Sequence, residues 1–347
     1  MKILHIANTN HFSGAENVIC QIMSMFVDDK DVEMAYVSPD GQIREALAER
    51  DIRFVPIRRM CVSELRSVFK KEKPEVIHAH DMRASYYAAL ACGKTRLVLH
   101  LHNNEFDNRR ISKKSVGFLI PSQKASHIFY VSKSAYEGYF FHHWFRKKSS
   151  VLYNVIDISQ LRAKLKNDRS SYNYDMLYLG RLTYQKDPVR LLKVIQIVKE
   201  LYPEVKVAIV GTGEMEEEVK ETWRGLGLQD NVDLLGFLSN PLKILKDAQL
   251  MLMTSRWEGT PMCALESMAL GTPIVSTPTD GLKDLIEDGK TGFLSDDNHL
   301  LAEKIVSILR DKDLRASLSE ACKAKSAIIN DLKSYKRALT EAYFEEQ

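Results

Sequence analysis

Two glutamates eight residues apart, Glu258 and Glu266, stand on either side of a predicted helix start. Residues 254–273 read Thr-Ser-Arg-Trp-Glu-Gly-Thr-Pro-Met-Cys-Ala-Leu-Glu-Ser-Met-Ala-Leu-Gly-Thr-Pro. Thr260 is predicted as the N-cap and Pro261 as the first helical residue. Gly271, with Pro273 beyond it, stops the helix. Gly259 lets a ligand come close to the backbone. The amides of Thr260, Met262 and Cys263 then point at whatever precedes the helix, and the helix dipole favours an anion there. Carboxylates repel phosphate but accept hydrogen bonds from hydroxyls. One short unit thus offers a phosphate cradle flanked by two hydroxyl acceptors. That combination suits a ligand with both a diphosphate and polyol rings, a nucleotide sugar.

The elements that position this unit alternate between strand and helix. The apolar run 250–253 reads as the buried strand before it. Earlier in the same half, strand 176–179 leads into Gly180-Arg181-Leu-Thr-Tyr-Gln-Lys186-Asp187-Pro188 and a helix to about residue 201. Arg181 and Lys186 flank that loop, and two cations there can neutralise a leaving diphosphate without a metal. Strand 205–210 ends in Gly211-Thr-Gly213, and strand 232–235 is followed by Gly236-Phe237. Strand 273–277 follows the central helix, and helices are predicted at 300–309, 314–325 and 332–344.

The first half repeats the pattern. Strand 2–7, a loop, and a helix opened by Gly14 form the first unit of a doubly wound fold. No Gly-x-Gly-x-x-Gly fingerprint is present, so a dinucleotide cofactor is not indicated. Strands are predicted at 32–37, 53–56, 76–79, 96–101, 127–131 and 150–153, with helices at 42–50, 62–71 and 82–92. In a parallel sheet, ligands meet the carboxyl ends of strands. His102 lies at such an end, and His100 lies one pleat earlier on the same face; the strand boundary leaves either as the residue that faces a ligand. Residues 104–123 read as a long basic loop with Arg109, Arg110, Lys113 and Lys114 around Phe118-Leu-Ile. Tyr139-Phe-Phe-His-His-Trp-Phe-Arg-Lys-Lys follows the 127–131 strand. Basic residues interleaved with large aromatics are a membrane-interface pattern. No recognised nucleic-acid module accompanies them.

The chain has 347 residues, 45% hydrophobic and 27% charged, which suggests two soluble globular domains. No apolar run is long enough to span a membrane. The N-terminus is too quickly polar for a signal peptide. Five cysteines without paired spacing read as free thiols of a reducing, cytoplasmic compartment, and no Cys/His cluster has zinc spacing. The net charge of +3 hides an asymmetry: residues 1–170 carry 27 Lys and Arg against 18 Asp and Glu, the remainder 22 against 28. The first half is the one that favours an anionic surface or substrate.

The segment Ser-Arg-Trp-Glu258-Gly-Thr-Pro-Met-Cys-Ala-Leu-Glu266-Ser-Met-Ala-Leu-Gly-Thr-Pro-Ile-Val-Ser-Thr resembles the signature of the retaining GT-B glycosyltransferases of family 4. Gly180-Arg181-Leu with Lys186-Asp187 is similar to that family's diphosphate-binding loop, and Asn154-Val-Ile-Asp157 resembles its turn between domains, with Val155 where the family has glycine. The family pairs two glycines near position 14; this chain has Ser13-Gly14. The resemblance implies two Rossmann-like doubly wound domains: an acceptor domain at 1–165, a donor domain at 172–328, and a last helix at 331–347 packing back on the first. It implies that Glu258 meets the donor sugar hydroxyls, Glu266 the ribose, His102 the transferred sugar, and Arg181 and Lys186 the diphosphate. It also implies that Gly14, Gly211, Gly213 and Phe237 border the donor, and it carries the expectation of retention. The expected reaction moves a hexose from a nucleoside-diphosphate sugar, uridine in preference to guanosine, to a glycan or lipid-linked acceptor at the inner membrane face. No cofactor or metal is expected: the Asp29-x-Asp31 and Asp311-x-Asp313 pairs read as loop or helix-end acids. A nucleotide-sugar epimerase and a non-catalytic nucleotide-sugar-binding protein remain alternatives on the same architecture; product analysis separates them.

Overall fold

The computed structural model describes residues 1–102 and 109–344. Its internal contacts divide the chain into two units, Met1–Asn154 with Leu332–Gln347, and Val155–Asp331. The division falls ahead of the boundary expected between 165 and 172. Lys164 belongs to the helix Ile158–Asn167, which Asp157 caps by accepting hydrogen bonds from the amides of Ser159 and Gln160.

The first unit is built on a seven-stranded sheet: β1 (Lys2–Ile6), β2 (Glu33–Pro39), β3 (Phe54–Ile57), β4 (Val76–His80), β5 (Arg96–Leu101), β6 (His127–Tyr130) and β7 (Ser149–Val151). The strand order is β3-β2-β1-β4-β5-β6-β7, every pairing parallel. Helices cover both faces of such a sheet, so its strands are apolar on both sides. The buried polar residues of β1, β4 and β5 are all histidines. The C-terminal helix Leu332–Phe344 packs in this unit, with Tyr343 Oη 2.7 Å from His78 Nδ1.

The second unit holds a six-stranded parallel sheet: β8 (Met176–Leu179), β9 (Val207–Val210), β10 (Val232–Gly236), β11 (Leu250–Met253), β12 (Ile274–Ser276) and β13 (Gly292–Leu294). Its order is β10-β9-β8-β11-β12-β13, so the chain reverses direction across the sheet between β8 and β11. Loops that leave neighbouring strands toward opposite sides open a crevice at such a point.

Two local expectations need correction. Residues 113–124 are helical rather than loop: Lys113–Gly117 and Leu119–Lys124. A capping box between Ser112 and Ser115 starts the first, and buried Phe118 anchors the joint between them. Residues 104–108 of the same stretch lie outside the described chain. The central helix is Met262–Leu270, and Pro261 rather than Thr260 is its N-cap. Pro261 takes an extended ψ of 126°, and its carbonyl accepts from the amides of Ala264 and Leu265 at 3.1 and 3.3 Å. Gly271 ends the helix at a φ of +77°, as the sequence suggests.

Candidate functional site

The loops after β8 and β11 meet at the crevice of the second unit. Lys186 Nζ lies 2.5 Å from Glu258 Oε1, with side chains 14% and 5% exposed. Ser255 Oγ donates to the same oxygen at 2.5 Å. Burial opposes the charge on Lys186, but the Glu258 carboxylate outweighs it and raises the ammonium above the usual lysine range. A cation and an anion are thereby held at the carboxyl ends of two adjacent central strands.

Several contacts fix the two loops to each other. The Arg256 amide donates to the Gln185 carbonyl at 2.8 Å, and Gln185 Nε2 donates to the Trp257 carbonyl at 3.0 Å. Thr254 Oγ1 donates to the Asp187 carbonyl at 3.0 Å. Arg256 pairs with Asp187 at 2.9 Å and lies over the Tyr184 ring. Asp187 has a φ of +50° and accepts from the Arg190 amide as the cap of the helix Pro188–Leu201. Arg256 therefore helps to position Lys186, a role that no sequence motif announced.

Around this pair the other expected donor residues gather. Arg181 is exposed, and no hydrogen bond or ion pair engages its guanidinium among the described residues. Gly259, Thr260 and Pro261 are buried and lead into the helix at Met262. The amides of Met262 and Cys263 have no intrahelical acceptor there, as at every helix start. Burial pushes the Cys263 thiol up to about 12, so it is no nucleophile at neutral pH. Glu266 lies one turn beyond Met262, half-buried and without a hydrogen-bond partner among the described residues. Burial raises its carboxyl to about 7, with Lys164 opposing the shift.

The glycines have specific steric reasons. A Cβ on Gly211, whose φ is +136°, would lie 1.9 Å from the Gly180 carbonyl oxygen. One on Gly213 would lie 2.2 Å from that of Leu182. Both glycines let the turn after β9 pack backbone to backbone on the Arg181 loop. A small cavity of about 230 Å3 beside them is lined by Leu182, Gly211, Val219, Leu234 and Gly236. Phe237, 67% exposed, follows directly on Gly236. Gly281 was not foreseen as a site-shaping residue. A Cβ there would lie 1.3 Å from the Gly259 carbonyl oxygen, so the segment after β12 presses on the backbone beside Glu258.

The remaining candidates lie in the first unit. Gly14 opens the exposed start of the helix Gly14–Met25, with Ser13 as N-cap. His102 sits just past the end of β5 and is 9% exposed, whereas His100 is fully buried. Burial lowers the His102 ring to about 4. His5, His78 and His80 lie on the same sheet face as these two, an assembly that sequence spacing did not suggest. The acid pairs behave as loop and helix-end groups: Asp29 pairs with Lys336, and Asp311 caps the helix Lys312–Ile329. All five cysteines are free.

Comparison with known proteins points the same way. The family profile described as "Glycosyltransferase Family 4" matches residues 12–160, and that described as "Glycosyl transferases group 1" matches residues 160–325. A Campylobacter jejuni α-1,4-N-acetyl-D-galactosaminyltransferase, named for a diphospho-undecaprenol-linked acceptor, is 26% identical over 94% of this chain and 93% of its own. An Escherichia coli UDP-Gal:α-D-GlcNAc-diphosphoundecaprenol α-1,3-galactosyltransferase is 24% identical over 97% and 94%. The structure of Anabaena HepE in complex with UDP and glucose superimposes with a TM-score of 0.85 at 21% identity, covering 98% of each chain. With both profiles matched end to end on two parallel-sheet units, the chain belongs to the group 1, family 4 glycosyltransferases of GT-B fold.

Proposed function

We propose that this glycosyltransferase moves a hexose, with retention of configuration, from a nucleoside-diphosphate sugar to a glycan or lipid-linked acceptor of bacterial surface-polysaccharide or glycolipid synthesis. The observation that carries the reading is the Lys186–Glu258 pair at the crevice between β8 and β11. In the reaction the bond from the anomeric carbon to the diphosphate oxygen breaks, and its electron pair leaves with the nucleoside diphosphate. An acceptor hydroxyl forms the new bond and gives up its proton, which leaves with the departing diphosphate. Lys186 and the unpaired Arg181, with the helix-start amides of Met262 and Cys263, stabilise the departing charge. These four groups are proposed to take the place of a divalent cation. Glu258, already fixed by Lys186 and Ser255, accepts from sugar hydroxyls, and Glu266 accepts from the ribose.

Uridine is the proposed base, in line with the UDP in the HepE complex and the UDP-Gal of the E. coli relative. The diphospho-undecaprenol acceptors of both transferase relatives support a lipid-linked acceptor. The same reading puts the enzyme on the inner face of the cell membrane as a peripheral protein. Among the described residues no helix is long and apolar enough to cross a bilayer. Ile111, Val116, Ile120, Phe140 and Trp144 are exposed in the basic stretch of the first unit, which supports contact with an anionic surface. Phe118, Tyr139 and Phe141 of the same stretch are core.

A thermal-shift panel of UDP, GDP, ADP and their sugar conjugates, with and without EDTA, tests the donor site. Stabilisation by uridine nucleotides, indifferent to EDTA, is expected. No shift with any nucleotide would sink the reading. Product analysis with the preferred donor should then show a lengthened glycan or lipid, not a free epimerised donor.

A further inference from the structure

Five histidines form a ladder inside the first unit. His5 of β1 stands in register with His78 of β4, and His80 of β4 with His100 of β5. Successive strand residues point to opposite faces, so His78 with His80, and His100 with His102, share one face. Adjacent rings are close: 4.2 Å between the centroids of His78 and His80, 4.4 Å between His100 and His102, 5.4 Å between His78 and His100.

A hydrogen-bonded chain does not account for the cluster. His5 Nδ1 lies 3.0 Å from His80 Nε2, and His80 Nδ1 lies 2.9 Å from His102 Nε2. His78 Nδ1 reaches Tyr343 Oη. Among the described residues, buried nitrogens without a partner remain at His5 Nε2, His78 Nε2, His102 Nδ1 and both positions of His100. Whichever tautomer His100 adopts, its N–H and its lone pair are both buried and unmet. Burial also keeps the rings neutral, the form that offers lone pairs to a metal.

We infer that the ladder binds one first-row transition-metal cation through His80, His100 and His102. These three each offer a nitrogen, all within 4.8 Å of one another. Two nitrogens of a tetrahedral zinc site stand roughly 3.4 Å apart, given bonds of about 2.0–2.1 Å, so ring rotations of modest size close the site. The triad His5, His78 and His80 meets the same distance criterion. It is fully buried, and one nitrogen of His78 already serves Tyr343. His102 directly follows β5 and, at 9%, is the most exposed of the three, which makes it the side on which a fourth, solvent ligand is expected. His80 then keeps its other nitrogen on His5, the kind of outer contact that orients a ligating imidazole. An all-imidazole donor set selects zinc, cobalt, nickel or copper and discriminates against magnesium, calcium and manganese. The site belongs to the first unit and the Lys186–Glu258 pair to the second, and it assigns His102 to the metal in place of the sugar contact that the family resemblance implies for it.

The test uses tag-free full-length protein, stripped with EDTA, dialysed and titrated with zinc chloride by calorimetry. Cobalt substitution reports tetrahedral coordination by its visible bands. One zinc per chain is expected, and magnesium should give no binding heat. His80→Phe and His100→Phe should each weaken zinc by more than about a hundredfold, beyond the cost of losing an outer-shell partner. His78→Phe should weaken it less than about tenfold. The wild-type stoichiometry is decisive even where a variant does not fold: no zinc taken up at micromolar free metal overturns the proposal. So does zinc that depends on His78 and not on His100.

Discussion

Glu266 makes donor binding depend on pH in a direction that can be worked out in advance. Burial holds its carboxyl near 7 in the free protein, above the ordinary 4.5. Holding a ribose diol requires the carboxylate, whose lone pairs accept both hydroxyls. Binding therefore favours the ionised form, and affinity should rise as pH rises through 7. Below that midpoint the carboxylate fraction falls about tenfold per pH unit, so two units down the affinity should drop about a hundredfold. The unliganded protein should show the opposite sign. A group whose folded pKa is raised contributes stability that is fully present below 4.5 and lost as pH rises through about 7. Stability and nucleotide affinity should thus move in opposite directions across neutrality. The assay is calorimetric titration of UDP from about pH 5 to 9, in wild type and Glu266→Gln. Nucleotide phosphates titrate near 6, and the glutamine variant subtracts that contribution because it keeps the ligand and loses the carboxyl. Its slope should be shallower and its affinity at high pH lower. Equal slopes in the two proteins would refute the reasoning, whatever the absolute affinities.

Other consequences follow from the same geometry. Lys186→Met leaves Glu258 charged and buried, which should cost about 3–5 kcal/mol of stability; adding Glu258→Gln should recover most of it. Both proteins should turn over at least roughly a hundredfold more slowly, as when one charge-stabilising donor is removed. A single variant as stable as wild type by chemical denaturation would argue against a buried pair. Gly281→Ala should stabilise a helix slightly, by about 0.5–1 kcal/mol, if propensity alone mattered. Its methyl instead meets the Gly259 carbonyl at 1.3 Å, so the Glu258 loop must move. A displacement of that size should lower kcat by about a hundredfold with an unchanged circular-dichroism spectrum; normal kcat would show that the loop does not set the site. In flotation, vesicles rich in anionic lipid should carry the protein and neutral vesicles should not. Trp144→Ala combined with Phe140→Ala should reduce the bound fraction; equal absence from both vesicle types would remove membrane contact.

The parts of this site that the sequence displays are those made by contiguous chain. The loop with Arg181 and Lys186 and the loop with Glu258 each follow a short apolar strand, β8 and β11, whose limits periodicity marks to the residue. The helix stop at Gly271 is equally local. Less visible is what needs the strand order. Lys186 and Glu258 are 72 positions apart, and their ion pair exists because β8 and β11 are neighbours. A strand–helix alternation alone does not fix which strands touch. Gly281 depends on the same order, through β12 beside β11. The Ser112 capping box was hidden in a segment whose basic composition suggested a loop, and Pro261 displaced Thr260 because its extended ψ already supplies the cap geometry. The histidine ladder lies furthest from sequence inspection. Each His-x-His pair is a local alternation that any strand places on one face. That the two pairs and His5 form one cluster depends on the registers of β1 with β4 and of β4 with β5. A metal motif read as spacing along the chain has no counterpart for ligands brought together by register. The sequence can therefore lack zinc spacing while the fold still assembles three imidazoles around one point.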